Sequence, residues 1–190
     1  MLKADKLVHS YPHSWRSKAP LIYRTTSQWF ISMDINDLRA KAMQEINNVE
    51  WFPAQGKNRI SAMVGNRPDW CLSRQRTWGV PITVFTNKNT GEVLRDPKVH
   101  QRIVDAVERE GIAAWHKYDI AHFLGDTYNA NDFEKATDIL DVWFDSACTH
   151  TFFIENNDAM HWPADMYFEG SDQHRGWFQT SLLHSCGTRG

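Results

Sequence analysis

Apolar positions recur along this chain with two periods, and the switches between them mark out its elements. Residues 21–24 (LIYR) and 28–33 (QWFISM) are rich in aromatic and branched side chains and predict short strands within a loop-like stretch. From Asp37 the period turns helical: Leu38, Ala42, Ile46 and Val49 fall on one face, and Asn36 or Asp37 is placed to cap the start. A second helix is predicted over 57–65, with Ile60, Met63 and Val64 on one side and Pro68 ending it. Residues 69–85 read as a polar, aromatic loop running into a strand at 80–85. The turn NKNTG then predicts a hairpin between 82–85 and 92–94. Pro97 opens an amphipathic helix carrying Val99, Ile103 and Val107, and Gly111 closes it. Residues 113–136 are irregular apart from a helical piece at 120–124 and an acidic, Asn-rich loop at 126–134. The runs 139–144 (ILDVWF) and 164–168 (ADMYF) predict buried strands, the second leading through a Gly-containing turn into a helix over 173–185. The expected class is α/β, divided at 1–36, 37–85, 86–137 and 138–190, with 86–137 an inserted α+β subdomain.

Composition narrows the picture only a little. Over 190 residues, 42% are hydrophobic and 23% charged, a balance able to bury a core. A net charge of -2 leaves no global basic field, so any nucleic-acid contact must be local. Three cysteines, Cys71, Cys148 and Cys186, are widely spaced and odd in number, which argues against a disulfide framework and fits a reducing, cytoplasmic setting. The first residues lack the apolar core of a signal peptide. No apolar run approaches the ~20 residues that cross a bilayer, so no membrane partner is expected. Both ends read as cut from a longer chain.

The chemistry concentrates in YFEGSDQHRGW, residues 167–177. Ligands of α/β sheets bind at the carboxyl ends of strands, and the turn after Phe168 occupies such an end. Gly170 allows close backbone approach, and Ser171 or Asp172 can cap the helix that follows. Free N–H groups at that helix start would favour an anion. Taken alone, the segment reads more simply as a capped helix with one packed Trp.

Three further blocks stand in order with it: WRSKAPLIYRTTSQWFISM at 15–33, WCLSRQRTWGVPI at 70–82 and DVWFDS at 141–146. Together the four resemble the class I isoleucyl-tRNA synthetases across nearly the whole chain, most weakly over 86–137. The resemblance implies a Rossmann-type catalytic domain, with 1–36 the junction returning from an editing insertion, 37–85 and 138–190 parts of the catalytic domain, and the adenylate site in the last. Activity is implied as ATP- and Mg2+-dependent activation of isoleucine and its transfer to tRNA(Ile), by a monomeric full-length enzyme. On matching positions, Glu169 contacts the aminoacyl-adenylate, Gly170 admits the nucleotide, Asp172 holds the ribose hydroxyls and Gln173 bonds the amino acid's carbonyl. Trp143 and Trp177 wall the isoleucine side chain. These types suit the roles: a carboxylate accepts from a diol, an amide donates to a carbonyl, and indoles enclose an alkyl group. No catalytic residue is expected, because the substrate carboxylate attacks phosphorus and the protein positions and stabilises charge. One methylene is worth only ~1–3 kcal/mol in such a pocket, isoleucine against valine in these enzymes being the standard example.

Arg74, Arg76 and Trp78, with Gln75, form a basic, aromatic cluster. It reads either as a contact for the tRNA acceptor end or as a loop braced by Arg–carboxylate pairs. Some relatives have HCWRCK where this chain has HSWRSK, so with Ser14 and Ser17 in place of Cys no zinc site is expected, and His9 and His13 read as solvated. The family's DSGSTH is here DSACTH, which puts Ala147 at a Gly position and makes Cys148 a small, largely buried side chain. Neither a HIGH-type tetrapeptide nor a KMSKS-type loop occurs, so the isolated chain is expected to be inactive. Two other readings stay open: a non-catalytic module binding tRNA or adenylate, and a valine- or leucine-specific synthetase.

Overall fold

The computed structural model describes residues 4–190, so the first three residues of segment 1–36 lie outside it. In chain order the elements are β1 (Phe30–Ile31), α1 (Leu38–Asn48), α2 (Gln55–Gly65), β2 (Trp70–Cys71), β3 (Ser73–Arg74), β4 (Phe85–Asn87), α3 (Pro97–Glu110), α4 (Ala114–Lys117) and α5 (Ile120–Leu124). There follow β5 (Phe133–Lys135), β6 (Ile139–Leu140), α6 (Val142–Ala147) and α7 (Trp177–Arg189), with short 3₁₀ turns and one π-helical turn, His150–Glu155, between. The strands form three two-stranded antiparallel sheets, β1–β2, β3–β6 and β4–β5. Helix and strand are therefore mixed, but the described residues show no parallel sheet of the expected α/β kind.

Helical periodicity places the first core. Leu38, Ala42 and Ile46 of α1, Ile60 and Val64 of α2, and Leu183 and Cys186 of α7 meet around Met33, Trp70 and Ala147. Each fully buried aliphatic side chain contributes about 1.5–3 kcal/mol. A second core gathers Phe85, Val99, Ile103, Ala106, Trp115, Phe123 and Phe133. Asp96 caps α3 by accepting from the Lys98 N–H at 2.7 Å. Lys135 ties this core together: its Nζ donates to the Trp115 carbonyl at 2.6 Å and lies 4.8 Å over the Trp115 ring.

Several expectations need correction. Val49 is half exposed, at the end of α1 and off its buried face. Neither Asn36 nor Asp37 caps α1 through its side chain; both take left-handed φ, 56° and 58°. No strand forms at 21–24, where the Leu21 N–H donates to the Pro12 carbonyl at 3.0 Å but the pairing goes no further, or at 164–168, where Met166 and Phe168 are exposed and no strand pairs alongside among the described residues. Over 80–85 only Pro81 makes a bridge, to Ile139, and the strand begins at Phe85; Pro has no N–H to continue a ladder. The hairpin turn does form, with Gly91 N–H donating to the Asn87 carbonyl at 2.8 Å and Thr86 bridging Val93. The run 139–144 is a strand only as far as Leu140, since Asp141 starts α6 by accepting from the Trp143 N–H.

Candidate functional site

The WCLSR and DVWFDS blocks meet at one carboxylate. Asp141 is 5% exposed. Its Oδ2 accepts from Trp70 Nε1 at 3.0 Å and pairs with Arg74 at 3.1 Å, while Oδ1 accepts from the Trp143 N–H at 3.4 Å. Arg74 also donates to the carbonyls of Cys71 and Ser73 at 2.8 and 2.9 Å. Of the predicted basic cluster, Arg74 is thus a brace, whereas Arg76 and Trp78 are exposed, Trp78 at 93%. On the other side of the 70–75 strip, Gln28 Oε1 accepts from Ser73 Oγ and Gln75 Nε2.

Residues 169–177 turn more sharply than a continuous helix. Ser171–His174 is a 3₁₀ turn, the backbone breaks at Gly176, and α7 begins at Trp177. Ser171 and Asp172 do not cap it through their side chains. Gln173 does: its Oε1 accepts from the Trp177 N–H at 2.9 Å. That bond fixes the amide, so Nε2 is the donor end, and it gives one N–H to Asp172 Oδ2 at 3.2 Å. Gly176 makes this possible. A Cβ there would lie 2.5 Å from Gln173 Oε1 and 2.8 Å from the Trp143 ring. Gln173 and Trp143 therefore converge on the bare backbone of Gly176, and residue 176 is a position the sequence reading missed. Gly170 is constrained likewise, since a Cβ would sit 2.8 Å from Asp172 Oδ1.

Trp177 lies at the same junction. Its Nε1 donates to the Ser146 carbonyl at 3.0 Å and its ring stacks on Tyr167 at 3.9 Å. Trp143 and Trp177 thus flank one stretch of backbone, though their rings are not in contact with each other among the described pairs. Glu169 and Asp172 are exposed. His174 is buried instead, its Nδ1 on the Ser171 carbonyl and its ring stacked on Trp51.

Behind this face a polar chain crosses from α6 to α7. Cys148 Sγ is 3.4 Å from His184 Nε2, His184 Nδ1 is 2.8 Å from His150 Nε2, and His150 Nδ1 is 3.5 Å from Glu155, which pairs with Arg189. Burial pushes the Cys148 thiol up, with Asp145 adding to it. Burial pushes the His184 imidazole down, and His150 adds to that. The result is a neutral thiol beside a neutral imidazole, a packing arrangement rather than an activated nucleophile. Ala147, at the family's Gly position, is fully buried in α6.

The model for tRNA synthetases class I (I, L, M and V) matches residues 8–190. Along its whole length the chain is 55% identical to the isoleucine–tRNA ligase of Pelagibacter ubique and 55% to that of Zymomonas mobilis, covering 21% of each. It is 54% identical to the isoleucine–tRNA ligase of Caulobacter vibrioides, covering 20% of that protein. The chain spans about a fifth of the length of the curated relatives it matches.

Proposed function

The chain belongs to the class I tRNA synthetases (I, L, M and V), and from that premise we propose that it is the part of an isoleucine–tRNA ligase that carries the isoleucyl-adenylate platform. The observation carrying this reading is the locked amide of Gln173. With Oε1 held by the Trp177 N–H and one Nε2 N–H given to Asp172 Oδ2, the second N–H of Nε2 is left to meet a ligand, and it is a donor, as an aminoacyl carbonyl requires. Trp143, resting on Gly176, and Trp177, backed by Tyr167, offer apolar faces for the side chain. Exposed Glu169 and Asp172 are acceptors for the ammonium and ribose hydroxyls, with Gly170 admitting the nucleotide.

In the first step the isoleucine carboxylate attacks the α-phosphorus of ATP and pyrophosphate leaves. In the second the terminal tRNA ribose 2′-hydroxyl attacks the carbonyl and AMP leaves. These residues hold and orient, a contribution that can reach about 7–11 kcal/mol in well-aligned reactions. Among the described residues no group of three or more His, Cys, Asp or Glu is arranged to hold a metal, and Mg2+ enters the proposal as the nucleotide's counter-ion. The four-part division of the chain, with 86–137 an insertion in a Rossmann-type domain, is supported by the two separate cores. Arg76 and Trp78 are the exposed candidates for the tRNA acceptor end, just after Arg74, which pairs with Asp141. Identity to proteins named for isoleucine favours this amino acid over valine or leucine. No helix among the described residues is long and apolar enough to cross a membrane, in keeping with a cytoplasmic enzyme.

The test uses the longer enzyme that carries this sequence. Gln173→Ala is expected to lower isoleucine-dependent ATP–pyrophosphate exchange and aminoacylation alike, and Arg76→Ala/Trp78→Ala to raise the KM for tRNA while exchange is kept. The 190-residue chain alone is expected to give exchange at background. Full exchange by Gln173→Ala would overturn the platform reading.

A further inference from the structure

We propose that the cleft between α2 and the start of α7 is a second anion site, one that grips phosphates of an RNA backbone. The cleft, ≈ 460 Å³, is lined by Arg59, Ala62 and Met63 from one stripe of α2, by Asn66, Arg67 and Pro68 after it, and by Arg175 and Gln179. Three guanidinium groups and no carboxylate face it. The side chains of Arg59 and Arg175 make no hydrogen bond or ion pair among the described residues, so their forks are free.

Arg67 is held differently. It donates to Gln179 Oε1, its guanidinium lies 5.4 Å from the Trp70 ring, and its Nε is buried with no acceptor. Burial holds this cation below its ordinary range and Asp141 offsets only part of that, so a further anion in the cleft would replace lost water. The surrounding backbone favours an anion as well. The carboxyl end of α2 would repel one, but Arg39 Nη1 takes the carbonyls of Val64, Gly65 and Arg67 at 2.9, 3.1 and 2.8 Å. On the other wall, the amino end of α7 is the favourable pole. Arginine forks match phosphate geometry, and the three arginines outnumber the two amides, of which Asn66 Nδ2 is given to the Ala62 carbonyl and Gln179 Oε1 to Arg67, so backbone contact is the chemistry the cleft fits best. Arg175 lies two residues beyond Gln173, which sets bound RNA beside the adenylate platform.

The choice of RNA rests on the tRNA-ligase reading; the choice of phosphate rests on the cleft alone. The test is fluorescence anisotropy of the chain with a labelled acceptor-stem RNA hairpin, titrated at several salt concentrations, with tripolyphosphate titrated separately. Arg59→Gln/Arg175→Gln removes two exposed charges, and Lys57→Gln/Arg109→Gln removes two outside the cleft. Urea midpoints establish that both variants stay folded. The cleft variant is expected to bind more weakly and to flatten the log K against log [salt] slope by about 1.5–2, each phosphate contact being worth about one, while the control keeps the wild-type slope. If wild type binds RNA and both variants match it, the cleft is overturned and the ligase reading stands. Tripolyphosphate binding without RNA binding overturns the backbone assignment in favour of a free polyphosphate. Binding of neither overturns the site, while the adenylate platform is judged by its own titration.

Discussion

Asp141→Ala removes one side chain but three interactions, and the structure ranks them. Trp70 Nε1 is buried and loses its acceptor at 3.0 Å; a buried donor left unmet costs about 1–3 kcal/mol. The α6 cap at 3.4 Å is long, so it falls at the low end of the usual range, about 0.5 kcal/mol. Arg74 is 40% exposed and keeps two carbonyls, so its lost ion pair is screened and amounts to about 0–1 kcal/mol. Together these give about 2–4 kcal/mol, or a Tm lower by about 5–15 °C for a chain of this size. Asp141→Asn keeps an acceptor for Trp70 and loses mainly the charge, so about 1 kcal/mol is expected. Urea unfolding followed by circular dichroism measures both. A loss under 0.5 kcal/mol for Asp141→Ala would refute the hub. Equal losses for the two variants would show that the charge, not the buried indole bond, dominates.

Gly176→Ala forces a Cβ to within 2.5 Å of Gln173 Oε1 and 2.8 Å of Trp143; about 1–3 kcal/mol of stability should be lost and the Trp fluorescence altered, whereas an unchanged spectrum and urea midpoint would contradict the close approach. Cys186, buried with its thiol pushed up to about 11 by burial, is expected to resist iodoacetamide at pH 8 until urea unfolds the chain; labelling at the rate of a free thiol would contradict this. His184 is held below its ordinary value by burial, so the unfolded chain binds more protons in the window beneath pH ~6.5. Its contribution is full above that pH and is lost on acidification, so Tm should fall from pH 7 to 5.5, and less steeply in His184→Gln; identical slopes would refute the assignment.

The sequence revealed most where contacts are local. The faces of α1 and α3, the α5 piece and the 87–91 turn follow from periodicity and turn chemistry, which act over a few residues. What it hid is non-local. Residues 139–144 carry a strand-like apolar run, but Asp141 meets Trp70 from 71 positions away and starts a helix there instead. Residues 164–168 have the composition of a strand without a described partner to make one. At the candidate site the motif pointed to Gln173, Trp143 and Trp177. Gly176 was legible only as a letter between Arg175 and Trp177, because what it excludes is a Cβ between two side chains from different elements. The opposite fates of Arg74, a brace, and Arg76, exposed, depend on a carboxylate far along the chain.

Titrating a non-hydrolysable isoleucyl-adenylate analogue into the chain, read by Trp fluorescence, tests directly whether residues 143–177 form a platform for isoleucyl-adenylate. A saturable change is expected, one that Gln173→Ala weakens and that the valyl analogue reaches only at roughly 10–200-fold higher concentration, a factor carried over from isoleucyl enzymes as a class. A wild-type chain that shows no saturable response, or that binds the isoleucyl and valyl analogues equally, would contradict it.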